Sequence, residues 1–539
     1  MLSINKIQLA FYTTFLIISS LNAQDNRPVR RCMSSMHEPV IQFRTTPYLS
    51  QAKIKQSYRT NTLNLPTVVH VVHTSSEGIN TGNNISYEQV MSQINATNKD
   101  LLSENTNKTQ TLAEFKSDVS VLNIELKMAI YDPNGNEIDE PGVNRIVGNP
   151  GTKGFYSDSE VTQIINDNIW DPNKYVNIWV LPLSTTYLGY AYFPDYPDLA
   201  GLDQLISSEI ARPELDGVVI STVFFGSNEF EDFPLLDGPY DLGRTLTHEL
   251  GHYLGILHIW GIGSESCSKD DFCDDTPKIS KNHGSSANST ICSDDMISVS
   301  KYLCEEDVEK YESAQYQNFM DYTDDACMTM FSHDQKSRVD VIMENAPQRF
   351  TINAGAPSGS IQLTASNGDD FHTLSWEASD MSDATAFIVE RQVENEGFEV
   401  ISPALNLSTN SYNAFYDPSE NSKKISYRVY MINENAFSFS SNHVSFEDGV
   451  VGIRPPSEAS SFVVYPNPSD GIFTLEPSEY INQNAVLDVL SIHGSKILTK
   501  FIYDKNSPVS IDLSDQPRGT YIMLLKSDKG TYTQRCIKK

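Results

Sequence analysis

Basic residues are scarce in this 539-residue chain: 39 Lys and Arg stand against 70 Asp and Glu, a formal net charge of -31. A surplus of that sign repels phosphate backbones and anionic headgroups, which argues against nucleic-acid binding and against adsorption to an anionic membrane. It favours solubility and hard cations such as calcium. Long apolar runs are just as scarce. One reaches from Leu9 to Leu21, behind Lys6 and ahead of Leu21-Asn22-Ala23. That arrangement predicts a secretory signal peptide, residues 1–23, cleaved after Ala23, and the run is too short for a comfortable transmembrane span. No later segment is long enough to cross a bilayer, so no transmembrane segment is expected in the exported chain. Cysteine is sparse too, at seven, but export makes disulfides permissible. The remainder is ordinary for globular protein, with 39% hydrophobic and 10% aromatic residues and length for three or four domains.

The segment His248-Glu249-Leu250-Gly251-His252-Tyr253-Leu254-Gly255-Ile256-Leu257-His258 carries the chemistry. Two histidines four residues apart on a helix lie about 40° apart around its axis and roughly 6 Å along it, so both imidazoles reach one ion. Glu249 then stands beside the ion without ligating it. On an unbroken helix His258 would fall about 240° further round, on the wrong face, so the chain must turn. Gly255 supplies the residue at which the helix can end and bring His258 in as third ligand. Three neutral imidazoles leave zinc its full charge and an open fourth position for water, whose pKa can then fall to about 7. Glu249 is placed to take that water's proton during attack on a peptide carbonyl and to pass it to the leaving amine. A structural zinc site is the competing reading of the histidines, although such sites close the fourth position with another protein ligand and rely more on cysteine.

Downstream, Asn318-Phe319-Met320-Asp321-Tyr322 resembles the Met-turn of the metzincin metallopeptidases. Its continuation through Thr323-Asp324-Asp325-Ala326-Cys327, with Asp274-Asp275-Thr276-Pro277 between the two motifs, is similar to the pappalysin family in particular. The resemblance covers roughly Leu65 to Pro347 and implies several roles. Met320 would pack beneath the three histidines, and the Tyr322 hydroxyl would stabilise the oxyanion. Gly189, Tyr190 and Ala191 would form the edge strand that pairs with an extended substrate. Asp325 would line the pocket for the residue after the scissile bond and favour Arg or Lys there. The resemblance further implies disulfides Cys267–Cys304 and Cys292–Cys327, a pattern from which the additional Cys273 departs. Asp270, Asp271, Asp274, Asp275 and Thr276 make an oxygen-rich loop suited to calcium, near which pappalysin-like proteins often carry that ion; Asp271 and Thr276 are the expected ligands.

Cys32, within Arg30-Arg31-Cys32, lies where a propeptide would be, at residues 24–60. A thiolate there can occupy the open zinc position, and the two arginines favour its ionisation, so it looks like a cysteine switch maintaining latency. An unpaired thiol and a bond to Cys536 are the other readings. Cleavage within Lys53 to Thr60 would release the switch.

The rest of the chain reads as modules. Leu65–His73, Val176–Leu181 and Gly217–Ser221 are β-branched or apolar strand runs, and Ser86 to Leu102 has helical spacing. With these elements, the pappalysin resemblance implies an α/β metzincin catalytic domain over 61–350, with a twisted mixed sheet, an active-site helix and an irregular disulfide-stapled C-terminal subdomain, and two all-β sandwich domains are expected to follow. Strand patterns with Trp376 and Tyr427 over 357–447 resemble a fibronectin type III domain. Residues 461–539, opening Val464-Tyr465-Pro466-Asn467-Pro468-Ser469-Asp470-Gly471, are similar to the C-terminal sorting domain of type IX secretion cargo. That resemblance makes the secretion machinery a partner and implies export across an outer membrane, with release or surface attachment. The expected function is a secreted zinc-dependent endopeptidase acting on protein or peptide substrates. The alternative is a surface adhesin with a latent or inactive peptidase-like domain.

Overall fold

The computed structural model describes residues 62–184, 187–202, 205, 215–236, 238–263, 266–284 and 302–345, then 360–367, 371–379, 381, 384–394, 396–402, 404–415, 424–433, 438–447, 462–466, 469–477, 485–491, 496–502, 508–516, 519–527 and 530–538. The expected signal peptide, the propeptide with Cys32, and Cys292 lie outside the described residues.

The β-branched run at the start becomes β1 (Leu63–His73), buried along nearly its whole length in the middle of a six-stranded sheet. Parallel to it lie β3 (Ile124–Met128), β4 (Val143–Val147) and β5 (Val176–Leu181). β7 (Val218–Ser221) extends the sheet in parallel, and β6 (Gly189–Ala191) closes the order antiparallel to β7. Strand periodicity divides the side chains between two faces. On one, Val69, Val71, Ile178, Val180 and Ile220 pack against α1 (Tyr87–Leu101) and α3 (Arg244–Tyr253). On the other, Val72, Trp179, Leu181 and Val219 pack against α2 (Asp158–Asn168). Covering both faces is what lets these strands be apolar on both sides. Local signals fix the helix starts: Ser86 accepts from the Gln89 amide ahead of α1, and Ser157 with Glu160 forms a capping box ahead of α2.

The remainder of this part is largely irregular, with a short ladder between β2 (Val119–Ser120) and β8 (Phe331–Ser332) and a closing helix, α4 (His333–Asn345). Cys267 is bonded to Cys304, Cα atoms 5.6 Å apart. Cys327 is disulfide-bonded as well. Cys273 and Cys536 are free and buried.

Two all-β parts follow. In the first, β9 (Ser360–Asn367), β10 (Phe371–Ser379) and β13 (Ser411–Phe415) make one antiparallel sheet, in the order β13-β10-β9. β11 (Ala384–Val393), β12 (Glu399–Val400), β14 (Lys424–Asn433), β15 (Ser438–Ser440) and β16 (Val444–Glu447) make the other, with β14 between β11 and the last two. Leu374, Trp376, Phe387, Val389, Tyr427 and Val429 form their shared core. In the second part, β17 (Phe462–Tyr465), β18 (Ile472–Pro477) and β21 (Val509–Asp512) face β19 (Ala485–Ser491), β20 (Lys496–Ile502), β22 (Gly519–Ser527) and β23 (Gly530–Lys538) across Phe473, Leu475, Leu487, Val489 and Met523. Among the described residues no helix is long and apolar enough to cross a membrane.

Candidate metal centre

Every residue of α3 is buried, so its polar side chains are held by the fold rather than by water. The helix begins after Gly243, whose φ of 83° is left-handed, and its first amides need acceptors. Asp325 supplies one: its Oδ2 accepts from the amides of Leu242 (3.1 Å) and Arg244 (3.0 Å). At the other end Gly255 adopts φ 88°. The Ile256 amide donates to the Gly251 carbonyl (2.9 Å) and the Gly255 amide to that of His252 (2.9 Å), the paired bonds of a Schellman turn. Arg338 of α4, fully buried, donates through its guanidinium to the Gly255 carbonyl at 3.1 and 3.0 Å. This turn swings His258 back over the helix.

The three histidines converge as their spacing predicts. His258 Nε2 lies 3.2 Å from His248 Nε2 and 3.0 Å from His252 Nε2. Ligands at zinc–nitrogen distances near 2.0–2.1 Å in a tetrahedron stand about 3.3 Å apart, so the set fits that ion. His248 donates from Nδ1 to the Phe319 carbonyl (2.7 Å) and His252 from Nδ1 to that of Ile256 (2.9 Å), which leaves each Nε2 lone pair facing the centre. Burial lowers the His252 pKa to about 4 against its bond to Ile256, and burial with the neighbouring His252 and His248 holds His258 well below its ordinary value. Neutral imidazoles are the ligand form. Trp260 stacks on His258, centroids 4.2 Å apart and planes 9° from parallel. Among the described residues this is the one group of three or more His, Cys, Asp or Glu placed to hold a metal ion.

Glu249 is 2% exposed and faces β6: a Cβ added to Gly189 would lie 3.3 Å from its Cγ. Glycine at that position lets the last strand of the sheet run beside the carboxylate. Tyr190 and Ala191 continue the strand, with the Tyr190 side chain packed on the α2 side of the sheet.

Beneath α3 sits Met320, fully buried. A Cβ on Gly251 would come within 2.4 Å of its sulfur, so the glycine inside the histidine motif makes the space the methionine fills. Asn318 exchanges side-chain bonds with Gln335 (2.9 and 3.0 Å) and accepts from the Met320 amide (2.9 Å). The Tyr322 ring stands 5.5 Å from that of His248 and 5.0 Å from that of His258. Its amide donates to Asp321 (2.7 Å), whose carboxylate also binds the backbone and the ring of His283.

Asp325 differs from the expectation of a pocket-lining loop acid. It is fully buried, and its charge answers the amides at the start of α3. Asp271 and Thr276 do come together, Thr276 Oγ1 donating to Asp271 Oδ2 at 2.7 Å. Burial pushes the Asp271 carboxyl well above its usual range. Of the other acids of that loop, Asp275 accepts from Ser332 and the Asp334 amide, and Asp270 faces Lys278.

Motif spacing carries no signal for three further supports: Arg338, the His283–Asp321 pair, and Asp100. The last, at the end of α1, accepts from Thr247 (2.6 Å) and faces Arg244 (3.2 Å), tying α1 to α3. Burial raises its pKa to about 7 despite Arg244 and Thr247.

Residues 238–344 match the family described as Pregnancy-associated plasma protein-A. Residues 463–539 match the family described as Secretion system C-terminal sorting domain. An extracellular metalloprotease of Colletotrichum graminicola is 29% identical over 169 residues, 30% of this chain and 48% of that protein. One from Arthroderma benhamiae is 30% identical over 172 residues, 31% of this chain and 47% of that protein. The chain thus spans about half the length of the curated relatives it matches. Mature mirolysin of Tannerella forsythia, solved in complex with a cleaved peptide, is 32% identical, the match covering 53% of this chain and 92% of that one with a TM-score of 0.41. The chain thus carries a metallopeptidase segment of the pappalysin family over 238–344 and, behind it, a secretion-system sorting domain over 463–539.

Proposed function

We propose that this chain is an exported zinc endopeptidase that cleaves polypeptides. The observation that carries the reading is the convergence of three Nε2 atoms within 3.0 and 3.2 Å beside the buried Glu249 carboxylate. His248, His252 and His258 would hold a zinc ion, which would supply a Lewis acid and an acidified water. Glu249 takes the proton of the attacking water and delivers it to the leaving amine. Tyr322 donates its hydroxyl to the oxyanion. The backbone of β6, running past Glu249, aligns an extended substrate antiparallel to itself. The sorting domain supports export and engagement with a type IX machinery, and Cys32 supports latency before maturation. Metal removal tests the reading: dialysis against phenanthroline should abolish cleavage of a diverse peptide mixture, and zinc alone should restore it. Persistence of the same cuts in metal-free protein refutes it.

Selectivity for Arg or Lys after the scissile bond is assigned to Asp325, whose buried charge would act on that pocket while capping α3. Asp325→Asn keeps an oxygen for the cap and removes the charge. Mapped cuts should then lose their basic preference by about tenfold or more, one charged contact being worth roughly 1.5–3 kcal/mol. Unchanged cut sites would leave Asp325 as a helix cap alone. Calcium is assigned to the Asp271–Thr276 loop, where a buried carboxylate and a buried hydroxyl come together. EGTA should lower the melting temperature of the wild type and leave that of Asp271→Ala unmoved; equal responses would remove calcium from this loop.

The two sheets that share the Trp376 and Tyr427 core support a fibronectin type III-like sandwich over 357–447.

A further inference from the structure

The outer face of that sandwich is unlike the surface of a free-standing spacer. Strand alternation sends Phe387, Val389, Tyr427 and Val429 inward. It sends Ala386, Ile388, Glu390, Arg428, Tyr430 and Ile432 outward, yet all six are buried, at 0 to 6% exposure. Ile130, which follows β3, joins Ala386, Ile388, Val400, Tyr430 and Ile432 in one apolar cluster. Beside it two carboxylates and two cations alternate. Lys127 Nζ lies 2.8 Å from Glu390 and 3.2 Å from Glu125. Arg428 bonds both Glu390 and Glu125. Glu125 and Lys127 belong to β3, Glu390 and Arg428 to the sandwich, so every charge has partners across the junction. Burial alone would raise the Glu125 carboxyl, but Lys127 and Arg428 outweigh it and hold it well below its ordinary range. Two more contacts flank the ring. Glu137 accepts from the Ala404 amide (2.9 Å), and Gly397 sits so close to α1 that a Cβ there would meet Asn95 Cγ at 1.9 Å.

We infer that the β11–β14 face of the sandwich is a built docking surface for the β3–α1 side of the peptidase, and that the two form one permanent unit rather than a peptidase with a spacer. Apolar area supplies the attraction. The charge ring fixes the register, because any sliding leaves a buried charge unpaired. Since Asp100, in the last turn of α1, binds Thr247 and faces Arg244 on α3, the docked domain braces the helix pair that carries the metal centre. Removing the sorting domain would then leave a two-domain enzyme.

The test uses the full chain with a recognition sequence for a specific protease inserted between Gly355 and Ala356. After cutting, the two halves should co-elute on size exclusion, and each half of the Lys127→Glu chain, which buries three like charges, should elute alone. Gly397→Trp, a wedge on a partly exposed loop that touches neither core, should also separate them, with at least a tenfold weaker association. Uncut chains with an unchanged far-ultraviolet dichroism verify folding. Separation of the cut wild type, or co-elution of both variants as tightly as wild type, overturns the inference.

Discussion

Glu249→Gln should lower kcat by about 10² to 10⁴, roughly 3–5 kcal/mol of transition-state stabilisation, with KM little changed. The amide keeps the shape of the side chain and its place beside Gly189 but offers no basic oxygen for a proton. Because Glu249 is not among the three converging nitrogens, the variant should retain zinc at one ion per chain by metal analysis. That combination separates loss of proton transfer from loss of the ion. Activity within tenfold of wild type in a zinc-loaded variant would remove Glu249 from the chemistry.

A single methyl group at Gly251 should do comparable damage from behind the site. The added Cβ would lie 2.4 Å from Met320 Sδ, 3.2 Å from its Cε and 3.6 Å from Phe331. Alanine is better than glycine inside a helix by about 1 kcal/mol, so on propensity alone Gly251→Ala would stabilise. Overpacking a filled core costs about 1–3 kcal/mol and shifts backbone, and here the backbone that shifts carries His248 and His252. The expected result is a lower melting temperature together with weaker zinc retention under competition by a chelator. Adding Met320→Ala makes room for the methyl, so the double variant should be less destabilised than the sum of the two singles. Strict additivity would mean that the sulfur does not bear on the helix.

The parts legible in the sequence are those governed by local period. The β1 run, the helix after Ser86, and the histidine spacing with its turn at Gly255 all depend on residues within a few positions of one another, and the structure reproduces them. The capping role of Asp325 is not legible locally, because the amides it meets belong to residues some eighty positions earlier, and nothing in the string Asp324-Asp325-Ala326 marks one acid as a cap. Arg338 and His283 are hidden for the same reason. Glu125 and Lys127 alternate with Ile124, Leu126 and Met128, a pattern that reads as one face toward water. Their burial follows from a domain encoded more than two hundred residues later. Sequence period reports which side of a strand is polar, and what covers that side is decided by tertiary contacts.

The bonds from Arg338 to the Gly255 carbonyl have a bearing on when the centre comes into being. All three histidines have been synthesised by residue 258, yet the turn that delivers the third is clamped from α4, and the methionine floor arrives only at residue 320. A nascent or truncated chain therefore holds the full ligand motif on a loose backbone, with the affinity of scattered imidazoles. Tight capture of the ion belongs to the finished fold, so metal loading acts as a signature that the last helix has closed.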